Sequence, residues 1–248
     1  MGLILTVQAS AAIDPDTLVG LWLFDEGTGG ITADISGHGN DGELVKQAQW
    51  VQGKFGQGIE FDGVDDGVNC GDIGALDFGT GDFTLCVWVK AAATSAGELG
   101  NGWSRILDKH YTSGFSLMRS AGGAKVQFEV GGNAQTTISA NSAFDDTWHH
   151  IAAVRVDDTH SRIYIDGELD VEGSLVGGDR NNELPFTIAY DNQGLGGNMK
   201  CSLDEVAVFN VALADEDIEE IATEGLSRIA AVSPVGRLTI AWGTIKAR

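Results

Sequence analysis

Proline, cysteine and positive charge are all scarce in this chain, and each shortage closes off a class of protein. Three prolines in 248 residues leave no room for a collagen-like repeat or a proline-rich linker. Three cysteines, Cys70, Cys86 and Cys201, cannot build a disulfide framework, and an odd count leaves at least one thiol unpaired. Cys86 falls within a strand pattern and Cys70 beside one, so both read as small buried hydrophobes. Fifteen Lys and Arg stand against 36 Asp and Glu, for a formal charge of −21. Such a surface repels a polyanion and argues against nucleic acid as a partner, while suiting cations and neutral ligands. Long apolar runs are missing as well, and no segment approaches the length needed to span a bilayer. Nor is there a G-x-S-x-G elbow, an H-E-x-x-H helix or a C-x-x-C pair.

Glycine is abundant. The 35 glycines are scattered between short apolar runs, which is the pattern of many strands joined by tight turns. Residues 1–12, M-G-L-I-L-T-V-Q-A-S-A-A, resemble the end of a secretory signal without its basic start: an apolar run followed by small residues at Ala9 to Ala11. The expectation is a secreted or cell-surface protein.

From Leu21 to Gly42 an alternating apolar strand runs into Asp25 and Glu26 and then into a loop rich in glycine and oxygen-bearing side chains. Asp34, Ser36, Asn40 and Asp41 offer oxygen atoms, and Gly37, Gly39 and Gly42 let the backbone turn so that carbonyls converge too. Calcium suits such ligands, whereas zinc prefers sulfur or imidazole. The competing reading is a solvated, turn-rich loop.

Strand patterns follow at Ile59 to Phe61, Phe83 to Lys90, Ser104 to Lys109, Phe115 to Arg119, Lys125 to Val130 and Gln135 to Ser139. Both faces of Phe83 to Lys90 are largely apolar, which predicts a central strand. Trp148 to Val156 places His150 on a face with Ala152 and Val154, so His150 is expected in the core. Ser161 to Asp170 reads as a hairpin turning at Asp166-Gly167. In Met199 to Asn210, simple alternation puts Leu203, Ala207 and Phe209 on one face, and Asp204 with Val206 and Val208 on the other. A buried carboxylate needs a cation or backbone donors, since leaving it unpaired costs several kcal/mol or more. Asp25 falls on the face of Leu21 and Leu23 in the same way.

Leu213 to Gly225 is the one convincing helix, with acidic residues in its first turn and Gly225 as C-cap. Its cluster Asp215, Glu216, Asp217, Glu219 and Glu220 reads as a solvated face. Residues 226–248 carry Arg228, Arg237, Lys246 and Arg248 and read either as one more strand or as a tail docked on the acidic body.

Taken in order, W-L-F-D-E-G with D-I-S-G-H-G-N-D-G, then G-K-F-G-Q-G-I-E-F-D-G, F-T-L-C-V-W-V-K, W-H-H-I-A with Y-I-D-G, and S-L-D-E-V-A-V-F-N-V-A-L resemble the laminin-G-like, concanavalin A-like jelly-roll domains of secreted bacterial proteins. The resemblance covers roughly Val19 to Glu224 and places one such domain at 13–225. It implies an all-β jelly-roll sandwich of two antiparallel sheets with one short C-terminal helix. It also implies first and last strands lying close together, commonly with a calcium ion between them. Asp25, Asp34, Gly37, Asn40 and Asp204 would then be brought together as its ligands.

This fold hosts lectins, adhesion modules and glycan-cleaving enzymes alike, so function has to come from a site. The expected function is a calcium-stabilised, non-catalytic binding module for carbohydrate. Trp103, Tyr111 and Tyr190 are candidate stacking aromatics, with His110, Asp191, Asn192 and Asn198 as polar neighbours. The alternatives are a module for an extracellular protein partner, or a glycan-cleaving enzyme using a carboxylate pair such as Glu98 with Asp108.

Overall fold

The computed structural model describes residues 13–93, 103–121, 123–131, 136–191 and 197–232. The signal-like segment 1–12, Glu98, Asn192 and residues 233–248 lie outside the described residues. The strands are short and turn-punctuated, as the glycine distribution predicts. They are β1 (Leu18–Trp22), β2 (Ile31–Thr32), β3 (Gly42–Val45), β4 (Gln49–Gln52), β5 (Gln57–Asp62), β6 (Gly67–Asn69), β7 (Phe83–Lys90) and β8 (Ser104–His110). The second half adds β9 (Gly114–Arg119), β10 (Lys125–Val130), β11 (Thr136–Ser142), β12 (Trp148–Val156), β13 (His160–Ile165), β14 (Glu168–Ser174), β15 (Thr187–Ile188) and β16 (Lys200–Phe209).

All strand pairs are antiparallel and form two eight-stranded sheets. The first sheet runs β14-β13-β12-β7-β16-β5-β4, and the second β11-β10-β9-β8-β15-β6-β3-β2. β7 is central in the first, as its two apolar faces require. β1 completes that sheet along one edge of β16, where Lys200 to Leu203 pair with β5 and Val206 to Phe209 pair with β1. First and last strands of the body are therefore neighbours, and the gap between β5 and β1 opens opposite Asp204 and Glu205.

Leu85, Val87 and Val89 of β7, Ile151 and Ala153 of β12, and Leu203, Val206 and Val208 of β16 face Ile106, Leu117 and Phe128 of the second sheet in one core. Phe83 stacks on Phe78 at 4.6 Å and leans on Phe115 at 5.0 Å. The outer face of the first sheet carries Cys86, Ala152, Val154, Tyr164, Ala207 and Phe209, which are covered by Ile218 and Ile221 of α1 (Asp215–Glu224). α1 starts with three acids near its positive end and stops where Gly225 adopts φ +75°. His150 is fully buried, as expected, and burial depresses its pKa to about 4, so the ring is neutral. The β13–β14 hairpin turns through Asp166 and Gly167 at φ +54° and +87°, the left-handed pair that a type I′ turn demands.

Two expectations are corrected. Leu203 shares its face with Val206 and Val208, because β16 bulges between Asp204 and Ala207 with Glu205 at φ +45°, and the extra residue reverses the alternation. Asp25 does not share the buried face of Leu21. β1 ends at Trp22, Phe24 turns through φ +57°, and Asp25 emerges exposed. Residues after Gly225, read as a further strand or a docked tail, begin as a short helix, α2 (Ser227–Val232), with Leu226 and Ile229 packed on the body, and the remainder of that stretch lies outside the described residues.

Candidate functional site

Two constellations of polar side chains stand out from this apolar frame. One is built on the β16 bulge. The bulge turns two consecutive carboxylates, Asp204 and Glu205, into the protein, where they are 0% and 3% exposed. Asp204 Oδ2 accepts from the Phe55 N–H at 2.8 Å, Glu205 Oε2 from Leu226 N–H at 2.9 Å, and Asp25 Oδ1 from Gln57 N–H at 2.9 Å. Asp25 and Asp204 thus grip one turn, Gly53 to Gln57, whose glycines allow the approach. A Cβ on Gly53 would lie 2.5 Å from Asp204 Oδ2, and one on Gly56, at φ +61°, 2.1 Å from Asp25 Oδ1. Burial pushes the Asp204 carboxyl up to about 7, and the charge of Glu205 adds to this while the Phe55 N–H opposes it. Burial likewise pushes Glu205 up to about 7, against the Leu226 N–H and with Asp25 adding to it. Asp204 Oδ1 is buried without a hydrogen-bond partner. No ion pair reaches any of the three among the described residues, and Lys54 instead sets its ammonium 4.3 Å over the Trp88 ring. An orphaned buried carboxylate oxygen with a second buried carboxylate next to it in the chain is chemistry a hard divalent cation can answer, although among the described residues the three carboxylates whose oxygens lie within 4.8 Å of one another are Asp62, Asp65 and Asp66.

The loop carrying Asp34, Gly37 and Asn40 lies elsewhere. Asp34 Oδ1 accepts from Leu21 N–H at 3.0 Å and Ser36 N–H at 2.9 Å, and its Oδ2 from Asn40 N–H at 2.9 Å. The Asn40 amide donates to Val19 O, and its carbonyl accepts from the Trp22 indole. Gly37 and Gly39, at φ +95° and +76°, fold the loop back onto β1. Leu21 is opposite Ala207, three residues past Asp204, so the structure brings Asp25 and Asp204 together and leaves Asp34, Gly37 and Asn40 on the far edge of β1. A third acidic group, Asp62, Asp65 and Asp66, is a turn: the two Asp66 oxygens accept from Gln47 and Asp62 N–H.

The second constellation occupies the outer face of the second sheet. Inward residues Leu107, Leu117 and Phe128 alternate with outward Asp108, Ser116 and Glu129, which lie in one register row across β8, β9 and β10. Arg105 and His110 flank Asp108 along β8. Arg105 Nη1 donates to Ser116 Oγ at 3.1 Å, and its Nε lies 3.6 Å from Asp108 Oδ1. His110 Nε2 bonds the Gly131 carbonyl and sits 3.5 Å from Glu129 Oε1. Burial raises the Asp108 carboxyl to about 7, with Arg105 the main counterweight. Burial also raises Glu129, less the pull of Arg105, and lowers His110. The neutral imidazole must give its one proton to the carbonyl, which leaves Nδ1 a bare lone pair.

Of the sequence-derived ligand residues, His110 and Asp191 belong to this face. Asp191 is buried, accepts from Gly197 N–H at 3.1 Å, and its charge raises Asp108. Trp103 and Tyr111 are exposed and bracket β8, one before its first residue and one after its last, roughly 25 Å apart along the strand. Tyr190 is half-buried, and Asn198 takes the Asp191 N–H at 2.8 Å. Arg105, Ser116 and Glu129 were not singled out from sequence. Their signal was polar residues at every second position of β10, Lys125, Gln127 and Glu129, with isolated polar residues in β8 and β9 that acquire meaning only with the register.

Two antiparallel eight-stranded sheets packed face to face, with terminal strands paired, define a concanavalin A-like jelly-roll sandwich. The family described as the Concanavalin A-like lectin/glucanases superfamily matches residues 62–219, and the chain belongs to it. No curated protein matches the chain. Among solved structures it is similar to the binding domain of Paraclostridial Mosquitocidal Protein 1 (TM-score 0.70, 17% identity, 85% of this chain and 52% of that one). It is also similar to Domain 4 of AbnA, a GH43 extracellular arabinanase from Geobacillus stearothermophilus, in complex with arabinotriose (0.63, 18%, 83% and 98%). A third is the receptor binding domain of botulinum neurotoxin C/D mosaic serotype (0.65, 14%, 87% and 53%). The chain spans about half the length of the two toxin domains, and at these identities the likeness is one of fold. No helix among the described residues is long and apolar enough to cross a membrane.

Proposed function

We propose that this protein is a non-catalytic, calcium-stabilised carbohydrate-binding module that acts outside the cytoplasm and binds on the outer face of its second sheet. The observation that carries the reading is the Asp108–Ser116–Glu129 row with Arg105 and His110: charged side chains concentrated on a sheet face between two exposed aromatics. Sugars are held by ring stacking combined with fixed polar groups; this face supplies the polar groups, and exposed aromatics stand at either end of β8. The arabinotriose complex of the arabinanase domain supports the reading by likeness of fold. In the calcium part of the proposal, Asp25, Asp204 and Glu205 hold the ion and Asp34 keeps its hydrogen-bonded role. Calorimetric titration with neutral oligosaccharides is the test: binding is expected and is expected to weaken about tenfold or more in His110→Ala, whereas a broad glycan panel without a single ligand sinks the reading.

A protein partner is the second reading, favoured by Ile138 and Leu169, two exposed apolar side chains on the adjoining edge strands β11 and β14. Charged substitutions there would abolish such a contact and leave glycan binding unchanged.

A further inference from the structure

We infer that the outer face of the second sheet selects uncharged sugar units and refuses carboxylated ones. The inference rests on the carbohydrate reading of this face and goes on to its selectivity. Four buried polar atoms there make no hydrogen bond, Arg105 Nε, Asp108 Oδ1, His110 Nδ1 and Glu129 Oε1, and only His110 Nδ1 is without an ion-pair contact, since Arg105 Nε faces Asp108 Oδ1 at 3.6 Å and Glu129 Oε1 lies 3.5 Å from His110 Nε2. Buried polar atoms in native proteins are nearly always paired, so four on one face mark a place where a ligand supplies the partners. Their chemistry is lopsided. The guanidinium Nε can only donate. The imidazole Nδ1 can only accept, because Nε2 donates to the Gly131 carbonyl. Above pH 7, where the Asp108 carboxyl is ionised and where the titration below is run, the two carboxylates accept, and they stand across Ser116 from one another with Asp191 near Asp108.

Three acceptors and one donor call for a ligand rich in donors that also offers a lone pair. A sugar bearing adjacent hydroxyls satisfies this, since each hydroxyl both donates and accepts. A uronate does not, because its carboxylate brings only acceptors and a negative charge. The row contains two carboxylates, Asp108 and Glu129, against the single guanidinium of Arg105, whose Nη1 is already engaged by Ser116. Like charges brought together on a desolvated surface repel strongly enough to separate the two ligand classes. The charge of the Arg105 guanidinium is already shared with Asp108 at 3.6 Å, so its Nε–H remains a donor to a neutral lone pair while little of its charge is left to attract a carboxylate.

The test titrates the full chain above pH 7 with cellohexaose, laminarihexaose and arabinotriose on one side and trigalacturonate on the other. Amide shift changes are followed at Ser116, Met118 and Glu129. The expected result is that at least one neutral probe binds with shifts in these amides, and that trigalacturonate binds at least about tenfold more weakly. The double variant Asp108→Asn with Glu129→Gln keeps the shapes and removes two charges, and it should close most of that gap by gaining trigalacturonate. Neutral binding with shifts elsewhere, a gap that the double variant leaves intact, or trigalacturonate bound as tightly as the neutral probes each overturns the selectivity while the lectin reading stands. No binding of any probe overturns the carbohydrate reading itself. Should the double variant not fold, the wild-type shift map and the wild-type affinity ratio still decide.

Discussion

Asp204 and Glu205 are the two residues on which the joint between β1, β5 and β16 depends, and both are held in an unfavourable charge state at neutral pH. Their carboxyls are raised to about 7 from ordinary values of 3.8 and 4.5. Between those limits the folded chain binds more protons than the unfolded one. Their contribution to stability is therefore fully present below about pH 4 and is lost as pH rises through 7. His150, depressed to about 4 from 6.5, works in the opposite sense but is silent above pH 6.5. In chelator, melting should accordingly fall between pH 6.5 and 8, and Asp204→Asn should flatten that slope. A midpoint that climbs over this interval would contradict the assignment. Gly53 gives a second residue-scale prediction. A methyl there meets Gln57 O at 2.2 Å as well as Asp204, so Gly53→Ala should cost about 1–3 kcal/mol in a denaturant titration. Asp204 was legible from sequence as a carboxylate in apolar company. Glu205 was not, because strict alternation points it away and only the bulge turns it inward.

At the scale of elements, legibility followed length and alternation. β7 and β12 were bounded from their patterns to the residue, and β16 to within one at each end, since eight to ten residues with a strong apolar face admit few other structures. β2 and β15 have two residues each and no pattern of their own. They exist because β3, and β6 with β8, supply the hydrogen bonds. The helix was legible through its acidic first turn and its glycine stop, and its docking depends on a contact that sequence cannot give. The Tyr164 hydroxyl on β13 donates to Asp215 Oδ1 at 2.7 Å, tying the first turn of α1 to the outer face of the first sheet. Tyr164→Phe keeps the buried ring and removes that bond together with the Arg162 side-chain contact to the same hydroxyl, so a loss of about 1–2 kcal/mol is expected. Amide exchange in α1 should quicken more than in β7, and a uniform change across both would show that the tie is not local.

The whole molecule is a strongly acidic body whose first and last strands are clasped by carboxylates, and the ordered motifs made that architecture readable before the register was known. The binding face was less readable, because it assembles from single residues on β8, β9 and β10 that only cross-strand pairing aligns. The charge of −21 and the raised carboxyls at the clasp bear on one measurement. At the proposed calcium site protons and calcium would compete for the same oxygens, since Asp25, Asp204 and Glu205 must be ionised to hold a cation. A ligand that binds only the folded chain raises its melting point in proportion to the logarithm of its saturation. At pH 8 the carboxylates are ionised, repulsion among them is unrelieved, and calcium should raise the midpoint relative to chelator. At pH 5.5 Asp204 and Glu205 already carry protons, and the same calcium concentration should raise it much less. Asp204→Asn should remove the increment at pH 8, while Asp34→Asn, which alters a carboxylate surrounded by N–H donors, should lower the midpoint with and without calcium alike. An increment lost in Asp34→Asn and kept in Asp204→Asn would move the ion to the loop beside β1 and leave the bulge as a proton-held joint.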